Sequence, residues 1–569
     1  MNLIKTYIDK GGKLLATLML LVTFFACNKN FLDEKPLDFL SVSNAYTKPS
    51  DIELGITGLH QYARDWITPI DANALCINWG TDLGFLGDNP HLPDFMQNYI
   101  TSLTPEHGHN NYFWTRAYKM IQRANVLIAA ITKMDENLWG SPAQKNALIA
   151  EAMFFRAYAY RQNVTLYGDI PLVTDVIDYA KTDFTRDSKS AIYELIESDL
   201  SFAAANLPTR GNEAAPGRIT QGAAWHLLSE MYLAQSKYQQ AIDAATHVIN
   251  DYGYALMTSR FGTKLDNDVL GSGDAYYDLF QEDNHNLPEN TEAIWVIQVE
   301  PNVTGGGVNG GEAIYGPMYE RLGNTPDGYR VIRGEFVGGL YTGYSDTLGR
   351  GFGWLSPSNL VKYDIWASDW NTDIRNAPHN IKRDFYFDHP DSKYYGRKVD
   401  FSLWPAGTRN LLLDTNAFLF PYYMKVANPL RRKTSPARSG DGVTHKDQYV
   451  MRLAETYLLR AEGYLGLGDL EQAANDINKV RGRAQATPVE PEDVTIDYIL
   501  DERIRELYTE EMRALTLIRT GKLVERTRKY NGNPIHPGAN IQDHNSLWPI
   551  PQSQIDLNVT GTMEQNPGY

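Results

Sequence analysis

Three short stretches carry residues that could do chemistry. "EHGHN" sets Glu106, His107 and His109 close together. In an extended strand the two histidines share a face and could hold a metal. No third ligand is evident, and a polar loop is the simpler reading. "LDNDVLGSGD" places Asp266, Asp268 and Asp274 near glycines, loosely like a calcium loop. It lacks the full ligand alternation and the closing Glu. A turn is the better reading, with a structural calcium as the alternative and no other cofactor indicated. Asp369 and Asp373 could form an acid–base pair for glycoside cleavage. With 69 acidic residues in the chain, such pairs are unavoidable. There is no His-Glu-x-x-His motif, no Gly-x-Ser-x-Gly elbow and no phosphate loop. "PNVTGGGVNGGEAIYG" is glycine-rich but lacks the Lys-Ser/Thr ending, and reads as a flexible loop.

Binding has better support than catalysis. Sugar rings have an apolar C–H face that a flat aromatic covers, and hydroxyls that Asn, Asp, Arg or Lys can meet. Two stretches fit. In "INWGTDLGFLGDN", Trp79 sits beside Asn78 and Asp82. In "GFGWLSPSNLVKYDIWASDW", Trp354 lies among Gly351, Gly353 and Pro357, so it is expected in a loop, as an exposed ring. Tyr363, Trp366 and Trp370 fall at i, i+3 and i+7, one face of a helix, which predicts packing. Trp370 ends that stripe and is the reserve candidate. Tyr341 and Tyr344, just upstream, extend the set. The "DIRN" segment holds Asp373 and Arg375, for which an internal ion pair is expected.

Other elements must position these residues. The chain has 569 residues, more than one compact core usually serves, so several domains or one large helical assembly is expected. It begins with Lys5, Lys10 and Lys13, then an apolar run from Leu14 to Ala26, then Cys27. This is the pattern of an export signal, too short for a spanning helix. A cysteine at that boundary resembles a bacterial lipoprotein signal, which implies that Cys27 is lipidated and becomes the first mature residue. Cys76 is then the one other thiol and has no intramolecular disulfide partner. The net charge is −16, and no long basic stripe occurs, so nucleic acid is not an expected partner.

Helical periodicity is strong in two blocks, about residues 114–250 and 448–521. "RITQGAAWHLLSEMYLAQSKYQQAIDAATHVIN" reads as a helical hairpin, with Thr220 as N-cap and a turn over Gln235–Lys237. Sliding by 232 residues matches it to "RLAETYLLRAEGYLGLGDLEQAANDINKVRGRA", pairing Glu230 with Glu462, Tyr232 with Tyr464 and Ala241 with Ala473. Small residues where the helices meet and aromatics in the grooves follow the tetratricopeptide pattern. Between the blocks, about residues 260–444, Gly, Asn, Asp and aromatics crowd together, and "EAIWVIQVE" reads as a strand. A long irregular stretch of this kind is usually functional.

The ordered set of segments resembles the SusD/RagB family of outer-membrane nutrient-binding lipoproteins. The matching pieces are "FLDEKP", "FFRAYAYRQNVTLYGDIPLV", "GAAWHLLSEMYLA", "EAIWVIQ", the second hairpin and the closing "LWPIPQSQIDLNVTGTMEQNPGY". Glu511, Ala514 and Thr516 stand where that family typically has Gly, Trp and Asp. The resemblance implies a mainly α, SusD-like fold. Residues 1–26 would be the signal, and tetratricopeptide-like hairpins within 27–569 would support an irregular ligand-facing half. It also implies a lipid-anchored protein of the cell surface that catalyses nothing. Such a protein binds an oligosaccharide, or in some branches a peptide, and hands it to a partner SusC-like TonB-dependent transporter in the outer membrane. The residues themselves leave two other readings open: an exported glycoside hydrolase, and a helical scaffold that binds peptide. For ligand contact the candidates are Trp79, Asp82, Trp354, Trp370 and Tyr344, and for lipidation Cys27.

Overall fold

A computed structural model describes residues 45–68, 77–87, 96–263, 273–301, 303–334, 347–428 and 442–569, with a few single positions between them. Cys27, Cys76, Tyr344, Asp266 and Asp268 lie outside the described residues. Eleven helices carry the scaffold: α1 (Pro49–Ile67), α2 (Gly108–Lys133), α3 (Pro142–Tyr167), α4 (Lys189–Asn206), α5 (Gln221–Leu233), α6 (Tyr238–Asp251), α7 (Leu453–Leu467), α8 (Leu470–Arg483), α9 (Ile496–Leu507), α10 (Arg513–Arg519) and α11 (Leu523–Tyr530). The mainly helical expectation holds. Among the described residues no helix is long and apolar enough to cross a membrane.

Helix α3 is the hub. Pro142 opens it in the first turn, where a missing N–H costs nothing, and the Ser141 hydroxyl accepts from the Gln144 N–H at 3.1 Å. It ends at Gly168, whose φ of +75° reverses the chain. Between these limits, Phe154, Phe155, Ala157, Tyr158, Tyr160 and Leu166 are all buried. From about Leu148 onward the helix is largely buried, because α1, α2 and α4 cover it, and its polar residues Glu151 and Arg156 are paired inside. The C-terminal segment closes its end: Trp548 N–H donates to the Leu166 carbonyl at 2.7 Å, and the Asn566 amide donates to Tyr167 O and Trp548 O.

The two hairpins matched across 232 residues stack directly on each other, α6 against α7. Gly466 permits the close approach, since a Cβ there would lie 2.4 Å from the Tyr238 ring. Arg460 of α7 pairs with Asp476 of α8 at 2.7 Å and reaches back to Thr246 Oγ1 of α6 at 3.1 Å. His226 of α5 meets Thr456 at 2.8 Å. Thr220 does occupy the N-cap position of α5, but its hydroxyl faces Tyr254 OH instead of capping the helix.

The expected strand forms as β2 (Ala293–Ile297), antiparallel to β6 (Gln448–Arg452). Trp295 on β2 packs edge-on against Phe154, Phe155 and Tyr158 of α3, locking the strand to the hub. Glycine-rich "GGGVNGG" is not the free loop expected over its described part. Asn309 and Thr444 exchange two backbone hydrogen bonds of 2.8 Å, and a buried helical turn follows at Gly311–Tyr315. Two further strand pairs near the candidate residues are short: β1 (Gly84–Leu86) pairs with β3 (Leu355–Pro357), and β4 (Ile381–Lys382) with β5 (Tyr422–Tyr423).

Buried ions join the irregular stretch to the scaffold. Arg375 donates to Asp373, to Glu502 at 2.7 Å and to Glu506 at 3.0 Å. Glu506 also accepts from Arg452 and Arg483, and those two reach Glu292 beside β2. Burial pushes the Glu502 pKa up, but Arg375, Arg505 and Arg481 outweigh it and hold the group down at about 2. Glu151 is likewise pushed up by burial and brought down to about 2 by His60 and Arg218. A carboxylate whose folded pKa lies below its unfolded value stabilises the fold above the unfolded value of about 4.5 and loses that contribution as pH falls toward 2. The melting temperature is therefore expected to drop steeply between about pH 4.5 and pH 3. Glu502→Gln should have a lower midpoint at neutral pH and a shallower acid slope; an unchanged slope counts against this assignment.

Candidate functional site

The two stretches expected to carry ligand contacts do meet in space. Strand β1 continues from Trp79–Asp82, strand β3 continues from Trp354, and they pair from Gly84↔Pro357 to Leu86↔Leu355. The Ser358 hydroxyl donates to Asp82 O at 2.7 Å, fixing the junction.

Most of the expected contact residues are nevertheless structural. Trp79 is 1% exposed and Asp82 is fully buried. The Asp82 carboxylate accepts from Arg513 (2.9 and 2.7 Å) and from Arg526 (2.6 Å). Burial alone would raise its pKa, but the two guanidinium groups bring it below the usual range. It is an anchor for α10 and α11. Trp354 is 9% exposed and packs beside Phe352, with ring centroids 5.7 Å apart.

The glycines around Trp354 explain its burial. They mark tight backbone approach, not an open loop. A Cβ on Gly351 would fall 2.1 Å from the Gly316 carbonyl carbon. One on Gly353 (φ +62°) would fall 2.5 Å from Ala417 O. Trp354→Phe is therefore expected to cost about 1–2 kcal/mol of stability and to leave ligand affinity unchanged. A thermal melt beside a binding titration checks both.

The tyrosine–tryptophan stripe also resolves differently. A short helix, Asn359–Lys362, is capped by the Ser358 hydroxyl and stops at Tyr363. A 3₁₀ turn, Asp364–Trp366, follows. Tyr363 itself is non-helical (φ −137°, ψ −51°) and the chain runs on in turns to Trp370, so the stripe splits at that break. Trp366 turns inward, fully buried, and its Nε1–H donates to Val361 O at 3.0 Å. Tyr363 and Trp370 face solvent, 47% and 41% exposed.

Those two rings are the candidate site. Their planes lie within 19° of parallel, with centroids 6.5 Å apart. Arg383 sits 4.7 Å from the Trp370 centroid and 5.8 Å from that of Tyr363. Those two distances together far exceed the ring separation, so the guanidinium lies to one side of the pair and is not sandwiched between the rings. Its cation–π contacts brace both. Arg383 is itself fixed: Nη1 donates to Lys362 O at 2.7 Å and Nη2 to Asn376 Oδ1 at 2.6 Å. The Asn376 amide donates to Trp370 O at 2.7 Å. One amide thus positions both the ring that faces outward and the cation that supports it. Asn376 lies in the turn Ile374–Asn376, which Arg375 pins to α9. Exposed Asp364, Asn371 and Thr372, adjacent in the chain, supply hydrogen-bonding groups beside the rings. Arg383 and Asn376 carry no sequence signal, because nothing in their spacing links them to Trp370.

The other chemical candidates are already engaged. Asp369 accepts from Arg481 at 2.8 Å and from the Thr487 N–H and hydroxyl. Asp373 holds Arg375, the ion pair expected from "DIRN". Neither is free to act as a general acid or base. His107 is the N-cap residue of α2. His109 is buried, which keeps its ring neutral. Asp274 caps the turn Ala275–Leu279 and accepts from the Tyr277 N–H at 2.7 Å. Among the described residues no group of three or more His, Cys, Asp or Glu is placed to hold a metal. Glu511, atypical for the resembled family, accepts from Arg503, Arg513 and the Thr516 hydroxyl, so it closes a local ion network.

Comparison with known proteins gives a consistent result. Residues 291–569 match the family model described as "SusD family". Residues 38–233 match that described as "Starch-binding associating with outer membrane". "SusD-like protein P25" of Formosa agariphila is 24% identical over 96% of this chain and 97% of its own length. "Starch-binding protein SusD" of Bacteroides thetaiotaomicron is 26% identical over 74% of this chain and 72% of its own. The fold is also similar to "Surface glycan-binding protein A from Bacteroides thetaiotaomicron in complex with laminarihexaose". That likeness has a TM-score of 0.64 at 20% identity, over 91% of this chain and all of that one. Two family models that leave only residues 1–37 and 234–290 unmatched, and relatives aligned nearly end to end, place the chain in the SusD family.

Proposed function

We propose that this protein binds an oligosaccharide or polysaccharide at the cell surface and passes it to a TonB-dependent transporter of the outer membrane, catalysing no reaction. The observation that carries the reading is the braced, outward-facing pair Trp370 and Tyr363. A sugar ring presents just such a flat apolar face, and burying it against an indole is favourable without any charge on the ligand. Rings already held by Arg383 and Asn376 lose little freedom when the ligand arrives. Relatives named for binding starch and laminarihexaose support a glycan ligand. The family description "associating with outer membrane" supports the location. Cys27 at the end of the apolar run supports a lipid anchor there.

Native affinity electrophoresis in gels containing laminarin, starch or other polysaccharides tests this, with a reducing-end assay on the same mixtures. Retardation without release of reducing ends is expected. Release of reducing ends would make the protein a hydrolase. No retardation on any glycan, beside capture of a peptide, would make it a peptide binder.

A further inference from the structure

A cavity of about 480 Å³ lies where the 210–218 segment arches over β2 and the turn at 285–290. It is large enough for a sugar ring and within the usual range of small-ligand sites. Its apolar wall is built from Leu287, Pro288, Ile294 and Val296, with Tyr254 beside them. Its two cations are already engaged. Arg210 donates to the carbonyls of Pro288 and Asn290 and lies 5.4 Å from the Tyr254 ring centroid. Arg218 pairs with Glu151 and, at 3.0 Å, with Glu53.

Two other lining groups are not engaged. Glu213 Oε2 is buried and has no hydrogen-bond partner among the described residues. His285 is 2% exposed, lies against the Tyr449 ring at 4.6 Å, and its Nδ1 has none either. Burial, with the charges of Lys446 and Arg452 nearby, holds the imidazole neutral. A carboxylate oxygen accepts hydrogen bonds, and the Nδ1 of a neutral imidazole accepts or donates according to its tautomer. Leaving buried polar atoms unpaired costs about 1–3 kcal/mol each, so the cavity suits a molecule whose groups both donate and accept. Glu213 disfavours an anion, and the two arginines disfavour a cation. What remains is a neutral polyol with one apolar face.

We propose that this cavity is a second ligand site, which takes a single neutral sugar unit, its hydroxyls hydrogen-bonding to Glu213 and His285. The site stands independently of Trp370. The test is ligand-observed saturation-transfer NMR with glucose, galactose and mannose, each alone, on the Trp370→Ala protein, so that the first site is silent. At least one hexose should show transfer. Glu213→Ala and Ala215→Trp, both made in that background, should each reduce it at least about fivefold. Ala215 is an exposed lining residue, so the bulky ring fills the cavity without touching the core. A circular-dichroism melt confirms that each variant is folded. Absence of transfer from all three hexoses, or transfer unchanged in both variants, overturns the proposal. Oligosaccharide retardation of the otherwise unaltered protein reads the Trp370 site separately.

Discussion

Replacing Arg375 by alanine is expected to destabilise the protein by about 3–5 kcal/mol, the cost of leaving a buried carboxylate without its cation. Asp373, Glu502 and Glu506 all accept from this one guanidinium, and all four side chains are fully buried. Glu502 keeps Arg481 and Arg505 and Glu506 keeps Arg452 and Arg483, but the variant leaves Asp373 facing them without its cation. The contacts run between the turn at Ile374–Asn376 and helix α9, so the loss should appear as an early transition in urea or heat, before the helical scaffold melts. Arg375→Lys keeps the charge but not the planar fork that serves three acceptors, and should fall between the two. Because Asn376 in the same turn holds both Trp370 and Arg383, Arg375→Ala should also weaken ligand binding at temperatures where the scaffold remains folded. A melting curve that matches the unsubstituted protein would mean that the network is not what ties the irregular stretch down.

Trp370→Ala should have the opposite profile. Loss of a ring that covers the ligand costs about 2 kcal/mol in binding, near 30-fold in Kd. Loss of a ring that is 41% exposed changes stability by no more than about 0.5 kcal/mol. Tyr363→Ala should weaken binding less, since its ring lies farther from the Arg383 brace. Isothermal titration with the retarded glycan, beside a thermal melt, separates the two effects. A Trp370→Ala protein that binds as before, or one that melts early, removes the ring from the site.

These two variants show where the sequence could be read and where it could not. Periodicity marks the helices, because a helix that packs repeats its apolar face every three to four residues. The 232-residue match even identifies two copies that turn out to be stacked. Glu502 and Glu506 are four apart, so their shared face on α9 is visible in the sequence. Arg505, three residues beyond Glu502, is visible there too, but the other arginine partners come from residues 375, 452, 481 and 483, and no local pattern joins those. The binding site suffers from the same limit. Glycine around Trp354 was compatible with an open loop or with close packing, and only the position of Gly316 and Ala417 decides between them. A tryptophan–aspartate pair at Trp79 and Asp82 suited a sugar contact, until Arg513 and Arg526 arrive from over 400 residues away to claim the carboxylate. The stripe containing Trp370 pointed to packing because it assumed an unbroken helix. The helix breaks at Tyr363, so Trp366 turns inward while Tyr363 and Trp370 stay outside.

The measurement that bears most directly on the proposed function is a crystal structure of the protein soaked with laminarihexaose or maltoheptaose, whichever it binds. A sugar ring is expected to lie flat on Trp370, on the face away from Arg383, with its hydroxyls turned toward the polar residues beside the rings. An oligosaccharide bound elsewhere, with Trp370 and Tyr363 left bare, would contradict it.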